Sequence, residues 1–481
     1  MKNQRVCYPI FIKTILEQDK MHRQISLILI SFFLVACNPP TEKTQLSKPE
    51  PFASTYTPME SETTVITNAT ILTGTGERLD NASILFADNK IVAIGADITA
   101  PDTAVVIDAK GRWITPGLID NHSHLGVYSS PGVESTSDGN EMTTPDTANV
   151  WAEHSVWPQD AGFNYARAGG VTTMQILPGS GNLIGGRGVV LKNVPATSMM
   201  AMKFPGAPHS LKMACGENPK RFYGKQGLSP ATRMGNMAGY RKSWIEATEY
   251  KEDWDEYNEA TSKGQKAKKP SRDLRLETLA EVLRGNIRIH NHCYRADEML
   301  QMIALSKEFG YKIASFHHAI ESYKIATELA KEEVCSSMWS DWWGFKLEAY
   351  DGIKENIAMV DQAGACAIVH SDSGVGIQHL NQDAAKAMAS GNKAGFTITE
   401  QHAIKWITSN VAKSLGVFDQ TGSLESGKMA DIVLWNGNPF SIYTRVDQVY
   451  IDGALTFDRG DPSRQASSDY QLSANSPEAS K

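Results

Sequence analysis

Pro116-Gly117-Leu118-Ile119-Asp120-Asn121-His122-Ser123-His124 runs from an apolar segment into two histidines one residue apart. In a β-strand alternate side chains share a face, so His122 and His124 project together. They come straight after the apolar, strand-like pairs Trp113-Ile114 and Leu118-Ile119. Two imidazoles aimed at one point begin a metal site. Taken alone, they are equally a pair of ordinary histidines at a strand end.

Downstream of His124, as far as about Ser414, strands alternate with helices. Strands are read at Val171–Leu177, Leu211–Cys215, Ile287–His292, Lys312–His318, Val334–Trp339 and Cys366–Asp372, which with the strand ending at Asp120 makes seven. A helix over Ala296–Phe309 carries Met299, Met302 and Ile303 on one side and stops at Gly310. Another opens at Thr397-x-x-Glu400, a capping box, and continues through Ala403, Ile404, Ile407 and Val411. Such alternation over roughly 300 residues predicts an α/β fold with a parallel sheet closed as a (β/α)8 TIM barrel. The eighth strand is expected between Glu217 and Asn286, although Glu246–Asp273 is polar and reads as an inserted exposed helix.

Upstream, Thr64 to Ile114 consists of short β-branched runs with turns at Gly74-Thr75-Gly76 and Asp88-Asn89. After the barrel the chain returns to strands at Asp431–Trp435, Gln448–Ile451 and Ala454–Phe457, the last two joined at Asp452-Gly453. The two β segments are expected to form one composite β-sandwich. Near the N-terminus, Met21-His22-Arg23-Gln24 precedes a compact apolar core, Ile25 to Val35, of signal-peptide length. It ends in Leu34-Val35-Ala36-Cys37, which resembles a bacterial lipobox with Cys37 as the acylated residue. The domains read from the sequence are 1–36, a signal peptide with an upstream extension; 37–63, a lipid-anchored linker; 64–115 with 419–461, the sandwich; 116–418, the barrel; and 462–481, a disordered tail. The implied location is the cell envelope, tethered to a bilayer through Cys37 and facing the periplasm.

Bulk properties agree with a globular protein of 481 residues, 41% hydrophobic and 21% charged. A net charge of -7 argues against a nucleic-acid partner, and no apolar run reaches bilayer length. Cys215, Cys293, Cys335 and Cys366 show no CxxC spacing and do not read as a disulfide framework.

Active sites of such barrels lie at the carboxyl ends of the strands. The polar residues there are His122, His124, Glu217, His290, His292, His317, His318, His370 and Asp372, a concentration that 12 histidines in 481 residues would not give by chance. Imidazoles and carboxylates without a thiolate framework suit a divalent ion, zinc above all.

The chain resembles the metal-dependent amidohydrolase superfamily, in its imidazolonepropionase-like and prolidase-like branch. The resemblance runs over about residues 64 to 460 and is carried by Trp113–His124, Ala168-Gly169-Gly170-Val171-Thr172-Thr173 and Gly422–Val433. It implies one or two metal ions. By position it implies ligands at His122, His124, His292 (with His290 as alternate), His318 and Asp372, with His317 facing the other way. The bridging ligand is Glu217 or Lys212; Glu217 is favoured because Lys212 would sit deep in its strand. Asn410-Val411-Ala412 departs from the family's Asn-Pro-Ala.

The implied activity is hydrolysis of an amide, peptide or cyclic amide by metal-activated hydroxide, with Asp372 as general base and then acid. Arg187, Tyr294 and Arg295 are expected to bind a substrate carboxylate. Trp339, Trp342 and Trp343 either line a pocket or pack. His209 and His379 lie near strand-end loops, whereas His154 and His402 fall in helical patterns. A small molecule or peptide is the expected substrate. The competing readings are a prolidase-like dipeptidase and a catalytically inactive, ligand-binding lipoprotein.

Overall fold

A computed structural model describes residues 51–130 and 132–465. The expected signal peptide, Cys37 and residues 466–481 of the expected tail lie outside the described residues. Among those described, no helix is long and apolar enough to cross a membrane.

The first sheet begins with β1 (Thr64–Leu72), β2 (Arg78–Ala87), β3 (Lys90–Gly95), β4 (Val105–Asp108) and β5 (Trp113–Pro116). Asp88 and Asn89 both take positive φ, 48° and 67°, the backbone a two-residue hairpin demands. The barrel sheet then runs through β6 (Leu118–Ser123), β7 (Val171–Ile176), β8 (Ile184–Lys192), β9 (Ser210–Ala214), β10 (Arg288–His292), β11 (Ile313–His317), β12 (Cys335–Met338) and β13 (Ala367–Val369). Finally β14 (Ile432–Trp435), β15 (Val446–Ile451) and β16 (Ala454–Asp458) rejoin the first sheet, in the order β16-β15-β14-β5-β1-β2-β3, with β4 on β1. Ile432 stands opposite Pro116 and Leu434 opposite Ile114, so the two ends of the chain share one core with Ile66, Ile84 and Phe86.

The barrel sheet has eight strands in sequential order, β6 to β13. The eighth strand is not in the 217–286 region, which folds as α2 (Glu217–Lys225), α3 (Arg233–Ser262) and α4 (Leu274–Leu283), following α1 (Ala161–Ala168). It is β8, antiparallel to both neighbours. Gly185, Gly186 and Gly188 disguise it as a loop in the sequence. Gly188 is needed because a Cβ there would stand 2.5 Å from the Ser210 hydroxyl. β13 does not ladder with β6. Instead the Asp372 amide donates to the His122 carbonyl (3.1 Å), and the Ser371 hydroxyl donates to the buried Asp120 carboxylate.

Because β8 runs in reverse, its last residue, Lys192, reaches the end of the barrel that faces the other sheet. There it is fully buried, its Nζ 2.8 Å from Asp431 and 3.1 Å from Asp452. Thr421 donates to Asp431 (2.7 Å), and the Tyr56 hydroxyl bonds Asp452. Tyr56 belongs to the segment read as tether. From Phe52 onward that segment is docked, with the Ser54 hydroxyl on the Lys203 carbonyl (2.6 Å) and the Thr55 amide on that of Met200 (2.9 Å).

Two disulfides correct the cysteine reading: Cys215–Cys293, with Cα atoms 5.2 Å apart, and Cys335–Cys366, at 4.4 Å. Each joins neighbouring parallel strands at equal height, a pairing set by sheet order that leaves no mark in local spacing. The helix Ala296–Phe309 (α5) ends as expected at Gly310, φ 77°. The helix expected from Thr397 begins at Glu400, with Thr399 as its cap, and breaks at Thr408 before Ser409–Leu415. Pro462–Arg464, at the start of the expected tail, form a 3-10 turn.

Replacing Lys192 by Met is expected to destabilise the protein by about 3–5 kcal/mol, because two buried carboxylates then face each other unpaired. A denaturant-unfolding midpoint on the purified variant measures this.

Candidate metal centre

β6 delivers His122 and His124 to the same end of the barrel, and their Nε2 atoms lie 3.3 Å apart. Asp372, just past β13, takes a left-handed φ of 48°, which turns its carboxylate over the barrel mouth. Its Oδ1 is 3.3 Å from His124 Nε2 and 3.5 Å from His122 Nε2, and its Oδ2 is 3.7 Å from His318 Nε2. Two sets have donor atoms within 4.8 Å of one another: His122, His124 and Asp372; and His122, His318 and His370. His370, at its strand end, is not in the ligand set that the resemblance implies. Its Nε2 accepts from the His318 amide (3.2 Å).

The donor set fits a divalent cation. Burial pushes the His122, His292 and His318 imidazoles well below their ordinary range, and His370 down to about 4, so they stand neutral, as imidazole ligands of a cation must. The Nδ1 atoms of His292, His318 and His370 are buried without a hydrogen-bond partner. Polar atoms left so inside a protein call for a partner such as an ion.

The structure places Lys212, and not Glu217, beside His122. Lys212 lies within β9, yet its long side chain carries Nζ to 3.4 Å from His122 Nε2. It is fully buried, which lowers its pKa to about 7. Glu217 opens α2 instead, with Oε1 3.5 Å from Lys346 and its amide on Glu348 Oε1 (2.9 Å). Neither Glu217 nor His292 belongs to a metal-capable set.

The alternation rule also misplaces His317. His318 has φ 56°, so the strand ends in a left-handed step and both neighbours turn inward. His317 lies one layer below, its Nδ1 2.9 Å from His122 Nδ1 and its Nε2 2.8 Å from His290 Nδ1. If His122 offers Nε2 to a cation, its Nδ1–H donates to His317, whose Nε2–H donates to His290. His290 is thus a support beneath the site. His292 stands at the mouth, where the Asn218 amide reaches its Nε2 (3.4 Å).

Of the expected substrate residues, only Tyr294 faces the site, its ring 4.9 Å from that of His292 and 5.7 Å from that of His318. Arg187 lies over the Trp151 ring (4.1 Å) and donates to Thr278 (2.8 Å) on the flank of the barrel. Arg295 forks onto Asp297 at the start of α5 (2.9 and 3.0 Å). The structure thus gives each guanidinium a partner apart from the histidine cluster. His209 pairs with Glu153 (3.2 Å) at the opening end of β9, away from the site. His402 holds Asp361 (2.7 Å), His154 stacks on Trp151 (5.4 Å), and His379 neighbours Gln382 (3.5 Å). Trp339, expected either to line a pocket or to pack, stacks on His318 at 4.3 Å, and Lys346, which the sequence does not single out, lies over the Tyr294 ring at 3.8 Å.

Comparison with known proteins identifies the family. Residues 346–456 match the model of the Amidohydrolase family. The crystal structure of an amidohydrolase from Thermotoga maritima MSB8 is 34% identical with a TM-score of 0.75, covering 82% of this chain and 100% of that one. The chain belongs to the amidohydrolase family. Members of that family are hydrolases of carbon–nitrogen bonds and generally bind a divalent metal. Amidohydrolase tasK of Hapsidospora irregularis is 31% identical over 400 residues, which are 79% of this chain and 39% of that protein. The chain thus spans well under half the length of this amidohydrolase relative. Imidazolonepropionase of Mesorhizobium japonicum is 23% identical over 378 residues, 74% of this chain and 87% of its own.

Replacing His317 by Phe removes the hydrogen bond that orients His122 while filling the same space. Zinc affinity, measured by chelator competition, is expected to fall about 10–100-fold. A purely packing role for His317 would lower the melting temperature and leave that affinity unchanged.

Proposed function

We propose that this amidohydrolase cleaves an amide-type carbon–nitrogen bond with zinc as its divalent ion, one or two per chain. The observation that carries the reading is the approach of Asp372 to His124, His122 and His318 at 3.3, 3.5 and 3.7 Å, from strands far apart in sequence. His122, His124, Lys212, His292, His318 and Asp372 would hold the metal, with Lys212, carboxylated on Nζ as in many members of the family, in place of Glu217. When bound, the ion supplies Lewis acidity and a nucleophile that exists near neutral pH.

The rest falls to the protein. Asp372 has its side chain 22% exposed, open to water on one side and to imidazoles on the other. It takes the proton of the attacking water and hands it to the departing nitrogen. Trp339 covers one face of His318 and keeps solvent from it. Substrate amide and water become a carboxylate and an amine.

A dipeptide, an N-acyl amino acid or a cyclic amide all meet these requirements; the imidazolonepropionase relative supports the last. An inactive binding protein would have no use for a carboxylate aimed at three imidazoles. The protein is proposed to be lipid-anchored through Cys37 and to face the periplasm. The two disulfides support this reading, since such bonds persist in oxidising compartments.

Screening the zinc-loaded protein against dipeptides, N-acyl amino acids and cyclic amides is expected to find chelator-sensitive hydrolysis. Asp372→Asn is expected to lower kcat about 10²–10⁴-fold. Full turnover in that variant, with metal bound, would refute the assignment. For the location, mass spectrometry of envelope protein is expected to show acylated Cys37 and no free thiol at Cys215, Cys293, Cys335 or Cys366. An unacylated chain with reduced thiols would contradict it.

A further inference from the structure

The two disulfides lie at opposite ends of the barrel. Cys335 opens β12 and Cys366 immediately precedes β13, so their bond closes the end away from the histidine cluster. Cys215 and Cys293 each follow the last residue of a strand, Ala214 of β9 and His292 of β10. Their bond is therefore at the metal-centre end. Two bonds of one chemistry stand in two settings, and one of them adjoins the site.

What the Cys215–Cys293 bond holds there is His292, whose ring lies 4.8 Å from that of His318. His122 and His124 each have Nδ1 fixed, by His317 at 2.9 Å and by the Leu177 carbonyl at 2.7 Å. His292 has no such support, because its Nδ1 is buried without a partner. Its direction is set by the backbone that carries it and by Asn218, whose amide reaches Nε2 at 3.4 Å. Both run through the disulfide. Cys293 is the residue after His292, and Cys215 lies three residues before Asn218.

The sheet itself stops at this height. Ala214 opposite His292 is the last rung between β9 and β10. Beyond it the Cys215 amide donates to the His292 carbonyl (2.9 Å), and Gly216, with φ 80°, turns the chain away. The S–S bond ties the two strands where their ladder ends. A metal ligand loses affinity when the contacts that orient it are removed.

We propose that the Cys215–Cys293 disulfide makes the metal centre dependent on oxidation: once formed, it holds His292 and Asn218 in place for zinc, and a chain folded without it carries a weaker site. The Cys335–Cys366 bond has no such role. Formation is thiol–disulfide exchange. Two cysteine thiols join as one S–S bond, and their two electrons and two protons pass to an incoming disulfide, of glutathione or of a thiol oxidoreductase, which leaves as two thiols. Both sulfurs end up buried, so the exchange takes place as the chain folds, before zinc is bound. This rests on the placing of His292 among the metal-holding residues in the proposed function.

Zinc dissociation constants are measured by chelator competition on the oxidised protein, Cys215→Ala/Cys293→Ala, Cys335→Ala/Cys366→Ala and His292→Ala, each with its unfolding midpoint. The partners of the two bonds are 78 and 31 residues apart, a difference that loop entropy, growing with the logarithm of length, hardly registers. Both double variants are therefore expected to lose stability to a similar extent. Only Cys215→Ala/Cys293→Ala is expected to lose zinc affinity as well, about tenfold, and His292→Ala to lose at least as much. Unchanged affinity in Cys215→Ala/Cys293→Ala, with His292→Ala weakened, overturns the proposal and leaves His292 a ligand. Equal losses in the two double variants overturn it too, because destabilisation alone then accounts for them. No loss in His292→Ala removes His292 from the metal reading and the proposal with it. Should the alanine pair at 215 and 293 not fold, Cys335→Ala/Cys366→Ala is refolded with tris(2-carboxyethyl)phosphine or with glutathione disulfide, and the reagent is removed. Zinc is expected to bind about tenfold more tightly after the second; equal binding would sink the proposal.

Discussion

The structure depends on how its barrel closes. β6 and β13 meet without a ladder, and the seam between them is made by the Asp372 amide on the His122 carbonyl, at 3.1 Å, and by Ser371 on the Asp120 carboxylate. Asp120 is completely buried, and burial pushes its pKa up to about 7 against the opposing pull of these hydrogen bonds. The same few atoms that hold the barrel shut bring His122 and Asp372, from the first and last strands, to 3.5 Å. Closure and site assembly are one event.

Two left-handed residues complete that geometry. Asp372 and His318, with φ of 48° and 56°, sit where a strand gives way to a loop. Such backbone is uncommon outside glycine and is held here by the surroundings. In both cases the result is a side chain turned over the barrel axis where a continuing strand would have sent it elsewhere. Below them the imidazoles of His317 and His290 pack in the barrel interior, where their hydrogen bonds can fix the orientation of His122. At the other end, Lys192 with Asp431 and Asp452 ties the barrel to the second sheet, a link possible only because β8 runs backwards.

Much of this was legible in the residues. His122-Ser123-His124, the strand runs and Asp372 marked the barrel and the place of its site, and the runs flanking the barrel marked the composite sheet. What escaped did so for physical reasons. β8 is glycine-rich where neighbouring chains press close, so it lacks the β-branched pattern of a strand. The disulfides join residues that only sheet order makes adjacent. Depth in the strand was a poor guide for Lys212, because a four-carbon side chain reaches past two residues of strand. Alternation failed at His317 because a single backbone angle at His318 cannot be read from residue types. Lys346 lies in a loop, where sequence gives no account of which way a cation points.

Whether these strand ends converge on one metal centre is read by anomalous diffraction at the zinc absorption edge, on crystals of the zinc-loaded protein. A peak bounded by His122, His124 and Asp372 is expected, with Lys212 and not Glu217 beside it. A peak elsewhere, or one ligated by Glu217 with Lys212 turned away, would contradict it.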